Sequence, residues 1–343
     1  MIKIKNRVIS NNSDPLIIPE IGINHNGNLG LAFKIVDAAK RAGAEIVKHQ
    51  THVAEDEMSE EAKRIKPGNS NKNIFSIIKN SSISAEDEYK LFKYVEKKGM
   101  IYLSTPFSKK AVDRLVKFGV SAFKVGSGEM SNFPLIDYIS KFQKTMIVST
   151  GLHNIRQVKK TYNFLKKKKI KFALLHTTNV YPTSDSLLRL NSIIQLKNIF
   201  PKTIIGLSDH TGDLLSSIIA LSLGANIIEK HFVNKKNLKG PDITSSIDEY
   251  QLKKLIIDSK RVKHQLDGNK NNLIKQEDVT RKFAFASVVS TRKILKGEKF
   301  SEKNLWVMRP GTGDYKSDEL KKIFGKIAKR NIRKKVQIKK NDF

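Results

Sequence analysis

Two histidines, two lysines and two glutamates stand at or near the ends of short apolar runs, and together they could hold a divalent cation beside an anionic ligand. His210 and His231 fall at the ends of runs 204–210 and 227–232, Lys48 and Lys124 within runs 46–51 and 122–129, and Glu20 and Glu129 near the ends of runs 17–22 and 122–129. Two imidazoles with their other positions open suit Mn²⁺ or Mg²⁺, and the same ligands tolerate Co²⁺ or Zn²⁺. Alternation along its run puts Glu229 on the side of His231, as a hydrogen-bond acceptor behind the metal ligand. Buried ammonium groups are costly without counter-charge, so Lys48 and Lys124 predict an anionic ligand. Ser127, Ser149, Asn179 and Ser208 add hydroxyl and amide groups suited to phosphate or carboxylate oxygens. The glycines of Val125-Gly126-Ser127-Gly128-Glu129 let backbone amides approach such an anion. Either Glu20 or Glu129 could move a proton or hold a hydroxyl, with Glu129 preferred because it is nearest in sequence to Lys124 and Ser127. His49, His153 and His176 read as satisfied buried histidines, whereas His25 and His52 follow run ends and stay open.

Only a particular scaffold brings these residues together. Eight apolar runs, 17–22, 46–51, 101–107, 122–129, 146–151, 172–179, 204–210 and 227–232, read as β-strands whose polar residues gather at their C-terminal ends. Between them, 29–42, 86–98, 109–118, 155–168 and 212–223 carry helical periodicity. Strand and helix in alternation force parallel pairing, and eight repeats with chemistry at one rim predict an α/β fold of the (β/α)8 TIM-barrel type. The long gap after the second run, with Glu55, Asp56 and Glu57 and then Pro67-Gly68-Asn69, reads as a lid or recognition loop in which Asn69, together with Tyr181, could read a polar ligand.

At 343 residues the chain exceeds one barrel. The reading is a catalytic barrel over 1–266, a linker over 267–282 opening on the polar Asp-Gly-Asn-Lys-Asn-Asn, and a small, mostly β domain over 283–343 with strands at 283–290 and 305–308. There is no cysteine, which excludes disulfides and thiolate chemistry. The absence of a membrane-length apolar stretch and of a signal-peptide core points to the cytoplasm. Net charge is +31, and residues 251–343 alone hold 26 Lys and Arg against 10 Asp and Glu. These are mostly lysines scattered over helix faces without interleaved aromatics, so solvated surface charge is favoured over a specific nucleic-acid site.

The motifs also carry a resemblance. Pro-Glu-Ile-Gly-Ile-Asn-His-Asn-Gly at 19–27, Lys-His-Gln-Thr-His at 48–52, Glu-Asp-Glu-Met at 55–58, Pro-Gly-Asn at 67–69, Lys-Val-Gly-Ser-Gly-Glu at 124–129, His-Thr-Thr-Asn-Val-Tyr-Pro-Thr at 176–183, Gly-Leu-Ser-Asp-His-Thr at 206–211, Glu-Lys-His-Phe at 229–232 and Gly-Pro-Asp-Ile at 240–243 resemble the bacterial sialic acid synthases, most of all their N-acetylneuraminate synthase branch. Past the linker, Phe-Ala-Phe-Ala-Ser-Val-Val and Leu-Trp-Val-Met-Arg-Pro-Gly-Thr-Gly-Asp resemble the antifreeze-like SAF (β-clip) domain of those enzymes. The resemblance implies metal-dependent condensation of phosphoenolpyruvate with N-acetylmannosamine to N-acetylneuraminate and phosphate by C–O cleavage. It implies a phosphoenolpyruvate site at Lys48, Lys124, Ser127, Ser149, Asn179 and Ser208, and a metal at His210 and His231. Sugar contacts would come from Glu20, Gln50, Asn69, Tyr181, Asp242 and Arg309, with Glu129 transferring protons. It further implies a homodimer in which the SAF domain covers the partner's barrel. The alternatives are a synthase of legionaminic or pseudaminic acid using a 2,4-diacetamido-6-deoxy sugar and, more remotely, a non-catalytic basic binding module.

Overall fold

The computed structural model describes residues 1–67 and 71–343 and divides into two units, Met1–Asp267 and Gly268–Phe343. In the first, a hairpin of β1 (Ile2–Ile4) and β2 (Arg7–Ile9) precedes eight strands: β3 (Leu16–Gly22), β4 (Ile46–Thr51), β5 (Ile101–Pro106), β6 (Ala122–Val125), β7 (Thr145–Ser149), β8 (Phe172–Thr177), β9 (Ile204–Asp209) and β10 (Ile227–His231). All eight pair in parallel and β10 closes on β3, so the TIM barrel read from the alternation is the fold. Strand residues facing the helices form one core, with Val36, Leu91, Val112, Ile136, Leu165 and Leu255 among the helix side chains packed on it. Ile18, Ile46, Leu103, Ile147, Leu175 and Ile227 fill the barrel interior as a second core.

The hairpin was not expected from the sequence. Its strands are three residues each, too short for periodicity to register, but Ile2, Ile4 and Ile9 are buried in the interior cluster and plug the barrel floor. The polar strand ends line a cavity at the opposite rim. The gap after β4 holds a short helix (Ala54–Glu57), a 3₁₀ turn (Glu60–Lys63) and a helix (Ile74–Ser81). Asn69 lies outside the described residues. Among the described residues no helix is long and apolar enough to cross a membrane.

On the outer face of β4 and β5, a buried polar network holds two strands that serve the site. The Gly27 amide donates to His25 Nδ1, which leaves His25 Nε2–H to donate to His49 Nε2 at 3.1 Å. His49 Nδ1 then faces the Tyr102 hydroxyl at 2.9 Å and Glu88 at 3.3 Å, and Glu88 also accepts from Tyr102, Thr51 and Arg114. Burial, followed by the nearby His49, pushes His25 down to about 3, so its ring stays neutral. Burial alone would raise the Glu88 carboxyl, but His49, Arg114 and Thr51 outweigh it and hold the group at about 2. A depressed carboxylate contributes stability that is present above its unfolded value and lost as pH falls through the folded one. Between the ordinary 4.5 and about 2, the barrel therefore loses on the order of 3 kcal/mol from this group. Urea unfolding followed across that window should show the loss in the native protein; Glu88→Gln should be less stable at neutral pH and should lack that part of the acid dependence.

In the second unit β11 (Ser287–Ser290) and β12 (Leu305–Met308) pair antiparallel around a core of Val288, Ile294, Phe300, Leu305, Ile332 and Ile338. The strand expected from 283 begins only at Ser287. Phe283 and Ala284 end a helix (Asp278–Ala284) that, with a 3₁₀ turn (Lys275–Glu277), occupies the stretch read as a linker. Both phenylalanines, Phe283 and Phe285, are exposed, so they do not alternate into the core as a strand reading requires.

Candidate active site

Parallel register at the open rim decides which side chains meet. Glu20 on β3 stands level with Lys48 on β4 and with His231 on β10, and Glu229 on β10 stands level with Ser208 on β9. Together with Gln50, Thr105, Phe107, Lys124, Ser127, Ser149, Thr177, Asn179, Tyr181 and His210 they line a cavity of about 150 Å³. Neighbours on the same strands point the other way: His49, Asp209 and Lys230 are buried against the helices.

The lysines do not wait for a ligand to be neutralised, contrary to the expectation. Lys48 Nζ donates to Glu20 Oε1 at 2.5 Å and lies 3.6 Å from Glu229 Oε1, which is also 3.5 Å from Lys124 Nζ. Two carboxylates thus balance two ammonium groups at the cavity floor. The balance is uneven, however. Burial would lower the Lys48 ammonium, but Glu20 and Glu229 outweigh it and raise it. For Lys124 burial wins over the more distant Glu229, and Lys48 adds repulsion, so its pKa is lowered. Lys124 otherwise donates to the Ser149 hydroxyl at 2.7 Å and to the carbonyl of Val125. It is the cation with most to gain from an added anion.

Beside Lys124 a donor for that anion is open: the Ser127 hydroxyl is buried with no hydrogen-bond partner. Asn179 Oδ1 is likewise unpartnered, but an amide oxygen only accepts. The Asn179 amide nitrogen donates to the Tyr181 hydroxyl at 3.3 Å. Gly151 explains why the strand end beside them carries no side chain. A β-carbon there would collide with the Asn179 amide and lie 2.7 Å from the Ser127 hydroxyl.

The opposite half of the cavity holds Glu20, Gln50 and Tyr181, and Asp242, expected as a sugar contact, is not part of its lining. Glu20 Oε1 accepts from Gln50 Nε2 at 2.7 Å, and Asp242 reaches to 3.8 Å from His231 Nδ1. Burial raises the Asp242 carboxyl, with His231 opposing. Tyr181 stacks on His210 with ring centroids 4.2 Å apart and meets His231 edge-on at 5.8 Å.

A basic anion pocket, a polar half holding Glu20, Gln50 and Tyr181, and a histidine pair thus share one barrel mouth. The profile of the NeuB family matches residues 35–271, and that of the SAF domain matches residues 285–343. The chain belongs to the NeuB family. It is 34% identical to the N,N'-diacetyllegionaminic acid synthase of Campylobacter jejuni, over 93% of this chain and 97% of that one. It is 28% identical to human N-acetylneuraminate-9-phosphate synthase, over 90% and 87%. The solved N-acetylneuraminic acid (sialic acid) synthetase of Leptospira borgpetersenii, in complex with citrate, superposes with a TM-score of 0.74 at 28% identity, covering 81% of this chain and 94% of that one. The NeuB family is one of sugar-acid synthases, and the barrel with its appended SAF domain is the arrangement expected from the sequence.

In this NeuB-family chain His210 and His231 are the residues that would hold a metal. His210 Nδ1 donates to the Thr178 carbonyl at 2.8 Å, which leaves Nε2 with its lone pair. Burial, helped by His231, pushes His210 down to about 3. His231 Nδ1 is buried without a hydrogen-bond partner, and the two ring centroids are 5.4 Å apart. Among the described residues no cluster of three or more His, Asp or Glu is assembled for coordination, so the protein would supply two ligands and leave other positions to water or substrate oxygen.

Three residues expected at the site lie differently from the sequence reading, and one residue of the cavity was not expected. Glu129 does not line the cavity: β6 ends at Val125, the next residues turn with the Glu129 amide bonded to the Gly126 carbonyl, and the carboxylate accepts from Asn132. Burial raises its carboxyl. Glu229, read as support for the metal, instead lies between the two lysines and accepts from Ser208 at 3.0 Å. Arg309 follows β12 in the second unit and is exposed. Thr105 was missed. It sits one residue beyond Ser104, which faces outward to Thr51, and its hydroxyl lies 3.3 Å from Lys48 Nζ, so strand alternation applied strictly would have selected it.

Proposed function

We propose that this protein condenses phosphoenolpyruvate with an N-acylated amino sugar to give a nine-carbon keto acid and phosphate, and that N-acetylmannosamine is the sugar. The observation that carries the reading is the division of one cavity: an under-compensated ammonium and an unpartnered serine hydroxyl on one side, a carboxylate, an amide and a tyrosine on the other. Lys124, Ser127, Ser149 and Asn179 would bind the phosphate and carboxylate oxygens, with Lys48 joining the two halves. Glu20, Gln50, Tyr181 and Asp242 would orient the sugar, and Arg309 of a second copy would complete its site. A dimer of this kind is supported by the exposed apolar residues Phe283, Phe285 and Trp306 of the second unit.

In the reaction, C3 of phosphoenolpyruvate bonds to the sugar's aldehyde carbon, whose oxygen takes a proton. Water adds to C2 and loses a proton, and the C2–O bond breaks so that the bridging oxygen leaves with phosphate. A divalent ion on His210 and His231, Mn²⁺ or Mg²⁺, would polarise the aldehyde. Glu20, within reach of Lys48, Gln50 and His231, is placed to hold the reacting hydroxyl, and Glu129 would serve proton transfer only if its turn brought the carboxyl inward.

The relatives named as legionaminic acid synthases supply the second reading, a 2,4-diacetamido-6-deoxy sugar. Turnover of the two sugar classes side by side separates them. Higher kcat/KM for N-acetylmannosamine is expected, and preference for the diacetamido sugar would replace that substrate while leaving the reaction type in place.

A further inference from the structure

Behind the sugar half of the cavity runs a hydrogen-bonded chain that the reaction outlined above does not use. Gln50 Nε2 donates to Glu20 Oε1, and Gln50 Oε1 lies 3.0 Å from His52 Nε2. His52 Nδ1 lies 2.9 and 3.1 Å from the two Glu57 carboxylate oxygens. The ring stacks on Phe107 with centroids 4.3 Å apart and planes within 8°, and the side chains of His52 and Glu57 are both 4% exposed. Glu57 is itself fixed by the amide of Val53, and its short helix is pinned where Asp56 accepts from the Lys110 amide.

The order of donors in this chain is forced. An amide carbonyl cannot face the Glu20 carboxylate, so Gln50 must turn its NH₂ towards Glu20 and its carbonyl towards His52. His52 Nε2 therefore donates to the Gln50 carbonyl, while Nδ1 lies against the Glu57 carboxylate. One Gln50 proton is used on Glu20, and the second has no partner among the described residues. A β-carbon built on Gly22 would lie 3.4 Å from that nitrogen, 3.5 Å from Glu20 Cγ and 3.7 Å from Asp242 Oδ2.

We propose that His52 is the positioning residue for sugar recognition: supported by Glu57 and Phe107, it locks the Gln50 amide so that an N–H donor, never a carbonyl, faces the substrate. Resting on the functional reading above, this assigns to Gln50 an acceptor on the sugar, a hydroxyl or acyl carbonyl oxygen, and rules out a donor as its partner. It also gives the loop after β4 a part in specificity through a side chain that does not itself line the cavity.

A double-mutant cycle tests the assignment. His52→Phe keeps the stack on Phe107 and removes the donor to Gln50. It should raise KM for the accepted sugar about tenfold, with KM for phosphoenolpyruvate unchanged, which is the scale of one directed hydrogen bond. In a Gln50→Ala background the same substitution should add almost nothing, because its effect passes through Gln50. Equal effects in both backgrounds, or a parallel rise in the phosphoenolpyruvate KM, would overturn the proposal. A substrate-free measurement keeps it separate from the functional reading. In protein labelled with ¹⁵N-histidine, the ring that disappears in His52→Phe should show a proton on Nε2, and an unprotonated Nε2 would overturn the proposal. Absence of turnover with every amino sugar would count against the functional reading alone, and the histidine spectrum would then decide on His52.

Discussion

Replacing Lys124 by Met lowers kcat/KM for phosphoenolpyruvate by about 10²- to 10³-fold, the usual consequence of removing one preorganised donor from a water-excluded site. Lys124 and Lys48 look equivalent in the sequence, but they are not equivalent in the cavity. Lys48 is held in the Glu20 ion pair at 2.5 Å, whereas Lys124 has its nearest carboxylate at 3.5 Å and its pKa lowered by burial. Only for Lys124 does an incoming phosphate or carboxylate relieve a standing electrostatic cost. The sugar KM should therefore stay within about twofold in Lys124→Met, since the groups assigned to the sugar are on other strands. Steady-state kinetics with each substrate varied in turn, with thermal unfolding as a control for folding, make the check. An equal loss for both substrates would mean that the division of the cavity is wrong.

The second large effect concerns stability. Lys230→Met should destabilise the barrel by about 3–5 kcal/mol, because it strands a buried carboxylate. Lys230 Nζ and Asp209 Oδ2 are 3.0 Å apart with both side chains fully buried, and Asp209 also accepts from Thr211, Ser216 and Ser217. These residues immediately precede His210 and His231, so the pair staples together the two strand ends that carry the histidines. Burial lowers Lys230, with Asp209 opposing, and the Asp209 carboxyl is lowered because Lys230 and the serines outweigh its burial. Asp209→Leu combined with Lys230→Met should regain much of the loss, since an apolar pair leaves no orphaned charge. Urea unfolding of the single and double variants measures this. A cost below about 1 kcal/mol for Lys230→Met would remove the staple from the account.

The barrel was legible because eight parallel strands buried on both faces leave apolar runs whose polar ends have one explanation. Glu20, Lys48, Lys124, Ser149, Ser208 and His231 were found in this way. Strand periodicity did not reveal where a strand stops. β6 ends four residues before Glu129, and the residues that follow it turn the chain away. Charge balance was equally hidden. That Glu20 and Glu229 neutralise the lysines follows from how the strands close into a barrel, which brings Glu229 to Lys48, 181 positions away, and to Lys124, 105 positions away. The floor hairpin escaped because three-residue strands have no period to detect, and Phe283 was misread because apolar alternation in 283–290 continues across the end of a helix. The His52–Gln50 chain lay within one five-residue motif, but the direction in which an amide points is a property of its partners, and one of those partners is Glu20 on another strand.

The most direct test of the condensation uses phosphoenolpyruvate labelled with ¹⁸O in the bridging C–O–P position, incubated with N-acetylmannosamine, or in parallel the 2,4-diacetamido sugar, and Mn²⁺, with a chelated control. The account predicts metal-dependent formation of a nonulosonate and phosphate in equal amounts, with the label in the phosphate. Label retained in the keto acid, or phosphate released at the same rate without sugar, would contradict it.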